Sequence, residues 1–98
     1  MANEKLVAFT FDDGPLNYAE DSSAMRILKT LEKYGQTSTF FYVGELIHEK
    51  SRKEMEYAQS IGCEAGNHTF SHSHLPELTK DEVIEEFTKT TKLLEEYI

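Results

Sequence analysis

The chain has 98 residues, with 18 Asp and Glu against 10 Lys and Arg, so its formal net charge is −8. A chain of this length can bury one small core, and it is too short for a complete (β/α)₈ barrel, which needs about 250 residues. The acidic balance argues against binding to nucleic acid or anionic membranes, because no stripe of Lys and Arg can replace phosphate counterions. No apolar run approaches the roughly 20 residues of a membrane span.

The N-terminal segment and the cysteine content leave the cellular compartment open. Residues 1–5 lack the charged-then-apolar pattern of a signal peptide, which leaves a cytoplasmic protein or a piece cut from a longer one. Cys63 is the only cysteine, so an intrachain disulfide is impossible. Its apolar and small neighbours predict a thiol packed in the core.

The first half of the chain predicts a strand, a helix and a second strand. Residues 6–11 form a near-continuous apolar run, typical of a strand buried on both faces, and Asp12-Asp13-Gly14-Pro15 ends it. Residues 21–23 offer N-cap side chains for a helix that Gly35 is placed to terminate. Residues 37–43 are rich in β-branched and aromatic side chains and predict the second strand. The apolar face of the helix comprises Ala24, Ile27, Leu28, Leu31 and Tyr34.

The second half predicts a helix, a strand and a last helix. The predicted helix that opens this half covers residues 46–61, in one or two pieces, and a weak strand follows over residues 63–67. Thr79 and Glu82 form a capping box that begins the last helix. The apolar positions are Met55, Ala58 and Ile61 in the first of these helices and Ile84, Phe87, Thr91, Leu94 and Ile98 in the last.

The predicted order is β-α-β-α-β-α, an α/β fold with parallel strands joined by crossovers. Ligands in such folds bind at the carboxyl ends of the strands. Asp12 and Asp13 follow the first strand and His68 follows the third. Polar clusters therefore fall at the edge of the sheet where a site is expected.

Two clusters of polar residues are candidates for a functional site. The sequence Asp-Gly-Pro is typical of a turn, so Asp13 could simply cap a loop. Three of the four histidines, however, fall within seven residues, and one turn of helix would put His68 and His72 on the same side. Two imidazoles and a carboxylate form a three-ligand metal site of the kind seen with catalytic zinc and non-haem iron. With a second carboxylate as general base, the pattern predicts a metal-dependent hydrolase.

Two motifs carry a resemblance to a known family. Thr10-Phe11-Asp12-Asp13-Gly14-Pro15 and His68-Thr69-Phe70-Ser71-His72 are similar to the first two signature motifs of the polysaccharide deacetylases (carbohydrate esterase family 4). This family includes chitin, peptidoglycan and acetylxylan deacetylases. Phe40-Phe41-Tyr42-Val43-Gly44 also resembles its second strand. The resemblance implies that residues 1–98 are the N-terminal part of a catalytic domain, about half of a distorted (β/α) barrel.

The resemblance also implies roles for individual residues. Asp12 matches the catalytic base, Asp13 the carboxylate metal ligand, and His68 and His72 the two histidine ligands. The ion would be zinc, with Co²⁺ or Fe²⁺ as alternatives. The implied reaction is attack of water on an N-acetyl or O-acetyl carbonyl of a polysaccharide, which releases acetate. His74 lies outside the motif and is interpreted as a rim residue.

The sequence departs from the family in its later motifs. Pro15 and Pro76 are the only prolines, and neither belongs to the Arg-x-Pro-Tyr motif that supplies an arginine and an oxyanion donor. No tryptophan is present for the fourth motif. Leu46-Ile47-His48 fits the Leu-x-His string of the fifth but precedes the second motif, so we interpret it as a chance match with His48 on the surface. We therefore expect a metal site with feeble activity in these 98 residues.

Other interpretations stay open from the sequence. The same fold and metal site could act on a non-sugar amide, such as a cyclic ureide or imide. A non-catalytic metal- or glycan-binding module is a second alternative, and a small α/β domain with accidental motifs is a third. Because half a barrel exposes strand edges and apolar faces, we also expect self-association, a domain-swapped partner or marginal stability.

Overall fold

Strands and helices alternate along the chain. The computed structural model describes residues 4–98, so residues 1–3 of the N-terminal segment lie outside the described part. The elements are β1 (Thr10–Gly14), α1 (Ser23–Lys33), β2 (Thr39–Tyr42), α2 (Arg52–Ser60), β3 (Glu64–Asn67) and α3 (Lys80–Tyr97). Within the described range, no helix has both the length and the apolar character needed to cross a bilayer. The predicted β-α-β-α-β-α order is confirmed.

The three strands form one parallel sheet in the order β1-β2-β3. Thr39 of β2 pairs with Thr10 of β1 and with Glu64 of β3, so β2 lies in the centre. Parallel pairing brings all three carboxyl ends to the same edge of the sheet, which is where the polar clusters follow the strands.

The helix ends are set by local side-chain chemistry. Ser22 is the N-cap of α1 and accepts the Met25 N–H at 3.2 Å. Thr79 and Glu82 form the predicted capping box at the start of α3. The chain turns after α1 at Gly35, whose φ of 65° suits a residue without a Cβ.

The core lies between the sheet and the helices. Phe11, Phe40 and Tyr42 stack in a row, with ring centroids 5.2 Å and 6.2 Å apart. Cys63 is 6% exposed and belongs to the core, as predicted. The buried cluster comprises Met25, Leu28, Phe40, Tyr42, Ile47, Met55, Ala58, Cys63, Leu94 and Tyr97.

The prediction of a first strand over residues 6–11, buried on both faces, is wrong. β1 begins only at Thr10, and the side chains of Leu6, Val7 and Phe9 are 87%, 77% and 63% exposed. β1 is an edge strand whose outer side pairs with no other strand of the described chain. The apolar run therefore lies before the sheet, where no layer covers it.

The predicted helix over residues 46–61 is α-helical only from Arg52. Two 3₁₀ turns, Gly44–Leu46 and Glu49–Ser51, precede α2. The Ser51 hydroxyl accepts the His48 N–H at 3.1 Å, which caps the second turn and separates it from the first. The segment is thus in more than one piece, as the sequence allowed.

The predicted apolar faces of α1 and α3 are partly wrong. Tyr34 is 66% exposed, whereas Met25, which was not on the predicted face, is buried. In α3, Ile84 and Phe87 are 53% and 39% exposed. The residues that α3 buries are Thr90, Leu94 and Tyr97. Because α3 packs on β3 and on the turn Gly44–Leu46, its buried face is set by these neighbours rather than by the apolar stripe.

Candidate metal centre

The C-terminal end of β1 carries the two aspartates. Asp12 pairs with Phe41 of β2, but the next pair is Gly14 with Tyr42, so Asp13 is an extra residue in the strand. Such a bulge redirects a side chain at the end of a strand. Asp13 has φ of 73°, in the left-handed region. We call residues 12–16 the carboxylate turn.

The two histidines lie on the loop after β3, which we call the histidine loop (residues 68–74). No helical turn joins His68 to His72 in this loop, because Thr69 and His72 have φ of 66° and 59°. The loop is tied to the turn after β2, where the N–H groups of Gly44 and Glu45 donate to its backbone carbonyls at 2.8 and 2.9 Å. The loop, rather than a helix, brings the imidazoles together.

Asp13, His68 and His72 converge on a single point. The Asp13 Oδ1 atom lies 3.0 Å from His68 Nε2 and 3.1 Å from His72 Nε2. The two imidazole centroids are 5.1 Å apart. The three potential ligand atoms all lie within 4.8 Å of one another. Three of the four predicted site residues are thus brought together, and the fourth, Asp12, is exposed beside Asp13.

The donor set fits a divalent transition-metal ion. Two imidazole nitrogens and one carboxylate oxygen are the ligands that zinc and iron prefer in sites that keep an open position. The side chains of Asp13 and His72 are 64% and 59% exposed, and that of His68 is 30% exposed. The group is therefore open to solvent on one side, which leaves room for water and a substrate.

Comparison with known proteins identifies the family. The sequence matches the polysaccharide deacetylase family over residues 1–98. The chain belongs to this family. A peptidoglycan-N-acetylglucosamine deacetylase of Bacillus cereus is 35% identical over 92 residues, which are 94% of this chain and 32% of that protein.

Solved deacetylase structures share the fold. The Xyl-CE4 domain of a multidomain xylanase from the hindgut metagenome of Trinervitermes trinervoides matches 98% of this chain with a TM-score of 0.88 and 30% identity. A family 4 acetyl xylan esterase from Clostridium thermocellum, solved with a cobalt ion, matches 95% with a TM-score of 0.82 and 32% identity. The chain spans 44% and 43% of these two structures. The prediction of an α/β fold that forms about half of a distorted (β/α) barrel is confirmed.

In this chain, α3 holds the histidine loop at two points. Asn67 accepts the Thr69 N–H at 3.0 Å and donates from its side-chain amide to the Phe87 carbonyl of α3 at 3.0 Å. Glu86 Oε1 accepts both the N–H and the hydroxyl of Ser71, each at 2.9 Å. Sequence reasoning missed Glu86, because a contact across 15 residues leaves no periodic signal.

On the opposite side, α2 supports the carboxylate turn through Glu54. Glu54 is only 3% exposed, and the Leu16 N–H donates to each of its carboxylate oxygens at 3.2 Å. Burial raises the pKa of Glu54 to about 7, although the Leu16 N–H opposes that shift. Burial also raises the pKa of Tyr42, and the nearby Glu54 adds to this effect.

Glu54 was also missed from the sequence, although a signal was present. It lies four residues before Ala58 and thus on the side of α2 that buries Met55 and Ala58. A carboxylate within an apolar stripe is a more informative feature than an exposed one.

The other two histidines lie outside the cluster. His48 is exposed, as predicted, and its Nδ1 accepts the Lys50 N–H at 3.2 Å. His74 is also exposed, with Nδ1 3.5 Å from a carboxylate oxygen of Glu77. His48 is therefore a suitable control position for tests of the cluster.

Proposed function

We propose that this chain carries the metal-binding part of a deacetylase active site that removes acetyl groups from N-acetylated or O-acetylated polysaccharide. The convergence of Asp13, His68 and His72 at the carboxyl edge of the sheet is the observation that carries the proposal. The substrate class is supported by relatives whose names include peptidoglycan-N-acetylglucosamine deacetylase and acetyl xylan esterase. Residues 1–98 would then be the N-terminal part of the catalytic domain.

Asp13, His68 and His72 would hold a divalent ion, and we propose zinc, with Co²⁺ or Fe²⁺ as substitutes. A related esterase from Clostridium thermocellum was solved in complex with a cobalt ion, which supports a divalent metal in this family. When bound, such an ion polarises a carbonyl and makes water more acidic. The three ligands come from two loops, so the fold must align both before the site is complete.

Asp12 would act as the general base. It precedes the ligand Asp13 in β1 and is exposed at the same edge of the sheet. Its carboxylate would accept a proton from the attacking water, while the oxygen of that water forms a bond to the acetyl carbon. The bond from this carbon to the sugar nitrogen or oxygen then breaks, the proton held by Asp12 passes to that nitrogen or oxygen, and acetate and the free amine or hydroxyl leave.

The 98 residues contain neither the Arg-x-Pro-Tyr motif nor a Leu-x-His motif after the histidine loop. Loss of one oxyanion donor costs about 10²–10³ in rate, and loss of general acid help costs about another 10²–10⁴. We therefore propose that a polypeptide of residues 1–98 binds metal but turns over slowly.

Metal titration of the 98-residue polypeptide tests the proposed site. We expect one Zn²⁺ or Co²⁺ per chain by calorimetry, and at least a 10-fold loss of affinity in each of Asp13→Ala, His68→Ala and His72→Ala. His48→Ala is the matched control and should bind as the wild type does. Metal binding that survives in all three cluster variants would contradict the proposed function.

A further inference from the structure

Glu54 of α2 lies directly beneath the carboxylate turn. An added Cβ on Gly14 would lie 4.0 Å from the Glu54 Oε2 atom and 3.7 Å from the Tyr42 ring, so these two side chains pack against the turn. A cavity of ≈ 240 Å³ has Asp12, Asp13, Tyr42 and Glu54 among its lining residues. Glu54 therefore lies against Gly14 and lines the same cavity as the two aspartates.

The burial of this carboxylate opposes folding. An ionised group taken out of water loses hydration, and a single backbone N–H shared between its two oxygens replaces little of it. A methionine or leucine at position 54 would fill similar space without that loss. A buried charge that stability does not favour is expected where it serves a site.

The Leu16 N–H that Glu54 binds belongs to the carboxylate turn, so this turn is the part of the molecule that Glu54 supports. Asp13 is held in a left-handed conformation, and such strain persists only where the surrounding structure fixes the backbone on both sides. Before Asp13, Asp12 pairs with Phe41 of β2, and directly after it the Gly14 carbonyl accepts the Val43 N–H at 2.7 Å. Two residues further along, Glu54 fixes the Leu16 N–H.

We propose that Glu54 is a positioning residue, which accepts the Leu16 N–H and so holds the carboxylate turn with Asp13 directed at His68 and His72. This inference rests on the proposed function, because it assigns Glu54 a role in metal binding. Glu54 does not touch the metal cluster itself. It acts through three residues of backbone, and any side chain with a similarly placed acceptor oxygen can replace it.

The test compares Glu54→Gln, which keeps an acceptor oxygen, with Glu54→Met, which keeps the size but removes the acceptor. Glu56→Met makes the same change at an exposed position two residues further along α2 and is the matched control. Three quantities are measured on the 98-residue polypeptide: Co²⁺ affinity by absorption, the urea midpoint without metal, and the exchange rate of the Leu16 amide proton by NMR.

We expect Glu54→Met to unfold at the same or a higher urea concentration, and yet to bind Co²⁺ at least 10-fold more weakly. Its Leu16 amide should exchange at least 10-fold faster than in the wild type. Glu54→Gln should restore both properties to within about 3-fold of the wild type, and Glu56→Met should change neither.

Several results would overturn the proposal. If Glu54→Met binds Co²⁺ with the affinity of the wild type, Glu54 has no positioning role, and the proposed function still stands. An unfolded Glu54→Met chain, seen by circular dichroism, would make Glu54 a residue required for folding rather than for positioning. Failure of Glu54→Gln to restore binding would exclude the acceptor oxygen as the cause. A wild-type chain that binds no Co²⁺ would overturn the proposed function and this inference together.

Discussion

Backbone strain is concentrated at the candidate site. Three non-glycine residues of the described chain have positive φ, and two of them, Asp13 and His72, belong to the metal cluster, while Thr69 lies between the histidines. Each such conformation costs about 1–3 kcal/mol. Hydrogen bonds from the segment after β2, from α2 and from α3 offset this cost, so the directions of the Asp13 and His72 side chains depend on residues outside the cluster.

Glu54 should make stability depend on pH. Its pKa is raised from 4.5 to about 7 in the folded chain. Between these values the folded chain holds a proton that the unfolded chain releases, so stability falls as the pH rises through this window. The difference between pH 5 and pH 8 is about 2–3 kcal/mol, from 1.36 kcal/mol per pKa unit.

Urea unfolding of the metal-free wild type and Glu54→Gln at pH 5 and pH 8 measures this effect. Asp12, Asp13, Tyr42 and the histidines are the same in both chains, so the comparison isolates the change at position 54. The wild type should lose more stability than Glu54→Gln on going to pH 8. An equal loss in the two chains would show that Glu54 ionises normally.

Elements and their order were predictable because each has a local signal. The capping box of α3 is an example, since Thr79 and Glu82 are close in sequence. The buried face of α3 was not predictable, because the close approach of Thr90 to Gly44 decides it. An added Cβ on Gly44 would lie 2.4 Å from the Thr90 hydroxyl. Helical periodicity cannot show which stripe another element will meet.

The candidate site also has a part that the sequence predicts and a part that it does not. The convergence of Asp13, His68 and His72 was predictable, because the carboxyl ends of parallel strands meet at the same edge of the sheet. The path of the histidine loop was not, since the Glu86 carboxylate of α3 fixes it from 15 residues away. Supporting residues such as Glu54 and Glu86 can be identified only once the tertiary contacts are known.

α3 should therefore contribute to metal binding through Glu86. Glu86→Ala removes the acceptor of two hydrogen bonds from Ser71, and we expect it to destabilise the chain by about 1–3 kcal/mol and to weaken Co²⁺ binding about 10-fold. Glu85→Ala is the control, because its exposed pair with Lys89 at 3.3 Å is worth about 0.5 kcal/mol or less. Urea unfolding and Co²⁺ titration measure both effects. Equal behaviour of the two variants would exclude α3 as the support of the loop.

At the scale of the whole molecule, the described chain exposes apolar surface beside β1. Leu6, Val7 and Phe9 lie exposed before the strand, and the outer side of β1 pairs with no other described strand. A cavity of ≈ 490 Å³ between Phe9, Phe11 and α1 continues this surface. Apolar surface next to an open strand edge favours association with another chain.

The isolated 98-residue polypeptide should consequently self-associate through this surface. Sedimentation velocity is expected to show a weight-average mass that rises with concentration. Phe9→Lys should reduce that rise. Its Co²⁺ affinity should stay within about 3-fold of the wild type, because Phe9 lies at the opposite end of β1 from the carboxylate turn. Ile84→Lys places the same charge at an exposed apolar position on α3 and should leave the association unchanged. If both variants associate as the wild type does, the surface beside β1 is not the contact. If Ile84→Lys alone disperses the chains, the exposed face of α3 is the contact instead.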